Sequence, residues 1–150
     1  MTTPPILTDL KTLALHRARS TEAALFLHET AADELQDRLE VVNKSFTSTA
    51  ITTGHPAFWA QRFGQAKVID ATEVLPLETA AHDLVIHAMA LHWANDPIGQ
   101  LIQCRRALRA DGLFLAVSFG GQTLHELRAC LAEAEAAVTG GLSPRVAPMG

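Results

Sequence analysis

The sequence predicts an α/β protein, a doubly wound and mostly parallel sheet preceded by an N-terminal helical segment. Three observations lead there. Between Asp83 and Phe119 an apolar run, a capped helical stretch and a second apolar run follow one another, which is the order of a strand, a crossover helix and a parallel strand. Both runs, Leu84-Val85-Ile86 and Leu113 to Phe119, are continuously apolar rather than alternating, as strands covered on both faces are. Upstream, two stretches of β-branched and small residues, Thr47 to Thr53 and Lys67 to Asp70, read as shorter strands, the first stopping at Gly54.

The segment from Thr8 to Val42 is rich in helix formers. Leu10, Leu13, Ala14 and Arg17 begin a helical period that Ala24, Leu27, Leu35, Leu39 and Val42 carry on, so two helices or one kinked helix are expected. Ser20 and Thr21 before Glu22 mark the restart, a hydroxyl capping free N–H groups and a carboxylate suiting the helix dipole. Lys11, Arg17, Arg19, Asp33, Asp37 and Arg38 are expected on solvated faces. Residues 1–43 thus read as a helical segment and residues 44–150 as the α/β domain.

Pro56 suits the first turn of a short helix through Phe63, and the stretch from Glu73 to Thr79 passes through Pro76 and reads as loop. Asp96 is a good N-cap with Pro97 at the first helical position, and Ile98, Leu101, Ile102 and Leu108 form one apolar stripe expected to face the sheet. Ala110, Asp111 and Gly112 turn the chain into the next strand. A last helix is predicted from Thr123 to Val138, capped by Thr123, with Leu124, Leu127, Leu131 and Ala134 on its buried side and Gly140-Gly141 ending it. Leu142 to Gly150 offer no further element, and a fragment of a longer chain is one reading. The last strand would then be an exposed edge prone to association.

A chain of 150 residues suits a single core that buries about two thirds of the unfolded surface. With 48% apolar and 19% charged residues and no apolar run near the ~20 residues of a spanning helix, a membrane span is excluded. The net charge of -4 offers no basic face for nucleic acid, so the expected partners are small molecules or another protein. Met1 to Leu10 hold two prolines and no Lys or Arg, unlike a secretory or transit signal, and a cytoplasmic location is the expectation. Cys104 and Cys130 lack metal-ligand spacing and are expected to be small buried hydrophobes. No nucleophile triad, phosphate loop or metal pattern stands out.

Within this frame, three stretches resemble the class I S-adenosylmethionine-dependent methyltransferases, whose fold is Rossmann-like. They are His82-Asp83-Leu84-Val85-Ile86, Leu91-His92-Trp93-Ala94-Asn95-Asp96 and Ala107-Leu108-Arg109-Ala110-Asp111-Gly112-Leu113-Phe114-Leu115. The stretches Phe119-Gly120-Gly121-Gln122-Thr123-Leu124-His125-Glu126-Leu127-Arg128 and Gly140 to Pro148 resemble the branch of mitochondrial complex I assembly factor 5 and its bacterial relatives. The malonyl-carrier-protein methyltransferases look like a more distant branch.

The resemblance implies a cofactor, S-adenosylmethionine, held beyond the carboxyl ends of the strands. Two departures accompany it. Where the family carries a D/E-x-G-x-G-x-G turn after its first strand, this chain has Ala50-Ile51-Thr52-Thr53-Gly54-His55-Pro56, with one glycine and no carboxylate. Between Ser45 and Leu77 there is also room for only one βαβ unit of ~30 residues, so a strand and a helix are missing and the fold is incomplete relative to the family.

The candidate cofactor contacts are Gly54, Asp70 at the end of the second strand, and His87; a helix-entry turn and a turn carboxylate are the other readings of Gly54 and Asp70. His92 and Trp93 are candidates for the acceptor pocket, with an aromatic lid on the sheet edge as the alternative. Gly120, Gly121 and Gln122 follow the last strand at the ligand-bearing edge and are candidate substrate contacts. No catalytic residue and no metal ligand is assigned. Three functions stay open: a methyltransferase acting on a small molecule or protein, a non-methylating factor in respiratory complex I assembly associated in the family with arginine hydroxylation of a partner subunit, and a catalytically inactive interaction domain.

Overall fold

The computed structural model describes residues 6–143 and Val146. The chain divides into two compact units, Met1–Val117 and Ser118–Gly150. In the first, helices α1 (Leu10–Ala18) and α2 (Phe26–Val41) are joined by a 3₁₀ turn, Glu22–Leu25. Strand β1 (Thr49–Thr53), helix α3 (Pro56–Arg62) and strand β2 (Lys67–Asp70) follow. Then come β3 (His82–Ala88), a 3₁₀ turn (Leu91–Trp93), α4 (Pro97–Ala107) and β4 (Leu108–Val117).

The four strands form one parallel sheet in the order β2-β1-β3-β4. This is the doubly wound α/β architecture read from the sequence. The chain passes from β2 to β3 through a loop containing Leu75 and Pro76 with no strand between, and so lacks the additional βαβ unit. The center of the sheet explains its composition: Ala50, Ile51, Leu84, Val85 and Ile86 are at most 2% exposed, as fits strands with helices over both faces. Asp83 fixes the amino ends, its carboxylate accepting from Thr47 N at 2.8 Å, Ser48 N at 2.9 Å and Thr47 Oγ1 at 2.9 Å.

One face of the sheet carries Ala50, Ile69 and Val85, packed with Leu75, Cys104, Ala107 and Leu108. The side of α4 that makes this contact differs from the predicted stripe. Gln100, Cys104 and Ala107 are buried, whereas Ile98 is 69% and Ile102 47% exposed. The reason is hydrogen bonding and size. Gln100 pairs with His87 at 2.8 Å and with the Thr72 carbonyl at 3.0 Å, and Cys and Ala let the helix approach closely. Asp96 caps α4 as predicted, accepting from Gly99 N at 2.8 Å. Strand alternation turns Ile51 and Thr53 to the opposite face. Trp59 of α3 is fully buried and donates from Nε1 to His28 Nδ1 of α2 at 3.1 Å.

Four further readings are corrected. The turn at Ala110-Asp111-Gly112 lies inside β4 rather than before it. Register passes from His82↔Leu108 to Leu84↔Leu113, Asp111 has φ 62°, and Lys44 Nζ pairs with its carboxylate at 2.8 Å. The chain therefore bulges out of the sheet between two paired halves. In the second unit, α5 is His125–Thr139 and its N-cap is Leu124 at φ 56°, with no side-chain cap. Thr123 instead closes a turn by donating to the Gly120 carbonyl at 2.9 Å. Leu124, Leu127 and Leu131 are 49%, 47% and 37% exposed, so the expected buried side is uncovered. Cys104 is buried and its thiol is pushed up to about 11 by burial, but Cys130 is exposed.

The packing predicts a sharp contrast between two isoleucines. Ile86→Ala empties a fully enclosed site and should cost about 2–5 kcal/mol in urea unfolding, while Ile98→Ala, on the outer face of α4, should change stability by less than about 0.5 kcal/mol.

Candidate functional site

The parallel register brings three strand ends to one edge. Thr53 stands opposite Asp70 on β2 and Ala88 on β3, and Ala71 N extends the pairing by donating to the Thr53 carbonyl at 2.8 Å. Gly54 and Asp70 are therefore neighbors at the carboxyl edge, where parallel sheets hold their ligands. The Asp70 side chain is 60% exposed and available to accept hydrogen bonds.

Directly above Gly54 lies a residue that the sequence reading assigned to a solvated face. Arg17 of α1 has only 20% of its side chain exposed, and its Nη1 is 4.0 Å from Asp70 Oδ1. A Cβ added at Gly54 would collide with the Arg17 guanidinium, so the bare backbone of this turn is what lets the cation sit there. Helix α1 is held in place at both ends of the preceding loop. Asp9 caps it, accepting from Lys11 N at 3.0 Å and Thr12 N at 3.1 Å. Asn95, just beyond β3, accepts from Leu7 N and Thr8 N at 2.8 Å each.

Three histidines feel the charge of the guanidinium. His28 and His55 make an edge-to-face contact with ring centers 4.7 Å apart. Burial lowers His28 to about 4, and interactions with His55, Arg17 and His92 add to the effect. His92 is lowered to about 4 by burial, then by Arg17 and His87. His55 is lowered by burial and Arg17, against the opposing pull of Asp70. All three are neutral near pH 7, so Arg17 carries the positive charge of this cluster.

The other sequence candidates separate. His92 and Trp93 share the 3₁₀ turn after β3 with ring centers 5.2 Å apart, and Trp93 is 39% exposed. His87 lies inside the protein, fully buried, with Nε2 2.8 Å from Gln100 Oε1. Because Gln100 Nε2 donates to Thr72, its Oε1 accepts, which assigns the His87 proton to Nε2. His87 Nδ1 and Thr52 Oγ1, opposite each other on β3 and β1, have no hydrogen-bond partner among the described residues. Burial lowers the His87 pKa, against the Gln100 hydrogen bond. Gly120, Gly121 and Gln122 belong to the second unit, in the turn before α5, where the Gln122 carbonyl accepts from His125 N at 3.2 Å.

Arg17, His28 and His55 were not singled out as site residues. A signal for Arg17 was present, since it occupies the helical stripe begun by Leu10, Leu13 and Ala14, and a cation in an apolar stripe needs a reason. The two histidines carried no such signal, because their contact is made by α2 crossing the turn after β1.

Sheet order and parallel register define the class, a Rossmann-like α/β domain. Residues 29–116 match the family model described as a methyltransferase domain, and the chain belongs to that family. It is 32% identical over 136 residues to the mouse mitochondrial arginine-hydroxylase NDUFAF5, a match covering 91% of this chain and 34% of that protein. To a putative methyltransferase of Rickettsia prowazekii it is 34% identical over 82 residues, covering 55% of this chain and 36% of the other. The chain thus spans about a third of the length of these relatives. A solved S-adenosylmethionine-dependent methyltransferase from Thermotoga maritima, a possible histamine N-methyltransferase, superposes with a TM-score of 0.50 at 16% identity, covering 75% of this chain and 64% of that one. That likeness concerns the fold. The chain is a methyltransferase-like protein with relatives in the NDUFAF5 branch.

The histidine environment predicts acid lability. A group whose folded pKa lies below its unfolded value of about 6.5 binds a proton more readily in the unfolded chain, so its stabilization is present above that value and is lost as pH falls toward the folded pKa. With His28 and His92 at about 4, Tm should fall as pH is lowered from about 6.5 to about 4. His28→Gln, which does not titrate and can still accept from Trp59, should flatten that slope.

Proposed function

We propose that this chain binds S-adenosylmethionine at the carboxyl edge of the sheet and serves a methyl transfer to a small-molecule or protein acceptor. The observation that carries the proposal is the placement of Gly54 and Asp70 at the ends of adjacent strands, with Thr53 and Asp70 in register. The residues present fit the cofactor: the atoms nearest the open side of Gly54 belong to the flexible end of Arg17, and the exposed Asp70 carboxylate can accept from a pair of ribose hydroxyls. The turn carries one glycine where the family pattern has three.

The bound cofactor would supply a methyl group already activated on a sulfonium, so the chain's task is chiefly to bind and align. Asp70 holds the nucleoside, and Gly54 lets it approach the backbone. His87, through Gln100 and Thr72, fixes the strand end from within rather than touching the ligand. His92 and Trp93 wall the acceptor side, where His92, lowered to about 4 by burial and then by Arg17 and His87, is a neutral imidazole at pH 7. Gly120, Gly121 and Gln122 stay part of the proposal as acceptor-binding residues.

A second reading is favored by the match to the mouse arginine-hydroxylase across 91% of this chain, which is a non-methylating role in respiratory complex I assembly with a complex I subunit as partner. A cytoplasmic location is part of the first reading, and a mitochondrial one goes with the second. No helix among the described residues is long and apolar enough to cross a membrane.

Calorimetric titration with S-adenosylmethionine and S-adenosylhomocysteine tests the proposal. Micromolar binding is expected, weakened about tenfold or more by Asp70→Ala, a loss of about 1.4 kcal/mol. A folded chain that gives no heat with either compound would overturn it.

A further inference from the structure

We propose that the hydrogen bond from Trp59 to His28 is an acid-released latch. A proton taken up by His28 frees the N-terminal segment, residues 7–28, from the carboxyl edge of the sheet, while the sheet and the rest of α2 stay folded. The inference holds whatever ligand that edge takes.

Little apolar surface holds this segment. No residue of α1 or of the 3₁₀ turn after it is buried, and Phe26 and Leu27 at the start of α2 are 61% and 43% exposed. Its ties are polar: Asn95 to the backbone of Leu7 and Thr8, Arg17 to Asp70 at 4.0 Å, and His28 to Trp59 at 3.1 Å. Segments with few buried apolar contacts open at lower free energy than the core. Farther along α2 the balance changes. Ala31, Ala32 and Leu35 are buried, and Arg62 of α3 pairs with Asp33 and, at 3.0 Å, with Gln36 Oε1. The helix is thus anchored beyond His28 and tied at His28 through the indole.

That tie exists only for a neutral imidazole. Trp59 Nε1 can only donate, so His28 Nδ1 accepts and the neutral ring carries its proton on Nε2. Protonating Nδ1 sets two N–H groups against each other, and the indole of the fully buried Trp59 loses its acceptor. The groups facing His28 oppose the new charge. Arg17 from α1, His55 from the turn after β1 and His92 from the turn after β3 all disfavor it. From α3 come Phe58 and Trp59, with ring centers 6.0 and 6.1 Å from the imidazole. The Asp70 carboxylate acts on Arg17 and His55. Burial, followed by these neighbors, lowers His28 from 6.5 to about 4. The closed state therefore holds the proton less tightly than the open one, and opening gains on closing as pH falls below that upper value.

Hydrogen exchange of the Trp59 indole N–H in the full chain reads the latch directly, because this is the hydrogen that His28 holds. The amides of Ile51 on β1 and Ile86 on β3 report the sheet, and a Trp93→Phe chain assigns the two indole signals. Corrected for the intrinsic rate, Trp59 protection should fall about tenfold per pH unit from about 6.5 toward about 4, the slope of one proton. It should level off where the His28 ring itself titrates. At every pH the Ile51 and Ile86 amides should stay better protected. His28→Gln, whose amide oxygen still accepts from the indole, should keep the protection and lose the slope.

Trp59 protection independent of pH in the parent, or a slope that survives in folded His28→Gln, would overturn the proposal. Equal protection of Trp59, Ile51 and Ile86 at each pH would do so as well, because the opening would then be global unfolding. In the parent chain alone, leveling off at a pH away from the His28 titration would also overturn it.

Discussion

The site depends on β1 being held in parallel register between β2 and β3. A central strand paired on both sides has its backbone groups satisfied without water, so Ala50, Ile51 and their partners on β3 can be wholly enclosed. The same pairing sets where each strand stops. Thr53 meets Asp70 on one side and Ala88 on the other, and so the turn at Gly54, the carboxylate at Asp70 and the turn bearing His92 reach the same edge. At the opposite edge Asp83 clamps the entry to β1 through two backbone N–H groups. A slip of one residue would move both ends and turn every buried side chain to the wrong face.

Above that edge one guanidinium sits among neutral imidazoles, with the Asp70 carboxylate 4.0 Å away. Burial keeps the imidazoles of His28, His55 and His92 neutral, and the guanidinium they surround stays charged because its pKa starts so far above neutrality. The N-terminal helices are therefore more than a lid over the sheet. They bring the cation to the carboxyl edge of the sheet and, through the hydrogen bond from Trp59 to His28, tie its surroundings to the helix that follows the glycine turn.

Much of the fold was legible in the sequence because its signals are local. Asp96 and Pro97 mark the start of α4, the runs at Leu84 and Leu113 mark covered strands, and Gly54 marks the end of β1. The face of α4 was misread because hydrophobicity alone favors Ile98 and Ile102. Gln100 is buried instead by hydrogen bonds to His87 and Thr72 that no periodicity shows. At the site, chain order was enough to nominate Gly54, Asp70, His92 and Trp93. The position of Arg17 at that edge was not legible, because its charge argued for solvent, and neither was the hydrogen bond between His87 and Gln100. His28 and His55 meet only because α2 crosses the β1 turn, a tertiary fact without a sequence pattern.

The bulge in β4 bears on more than register. Among the described residues β4 pairs with β3 alone, leaving a row of unpaired amide and carbonyl groups along its outer side. A flat strand of that length would template another chain. Here the left-handed Asp111, tethered by Lys44, bends the first half away and sets a charge on the rim, leaving only Leu113 to Val117 in straight register. The kink thus shortens the straight part of this edge to the five residues Leu113 to Val117, and a short, charged and bent edge is the kind that resists strand-on-strand growth.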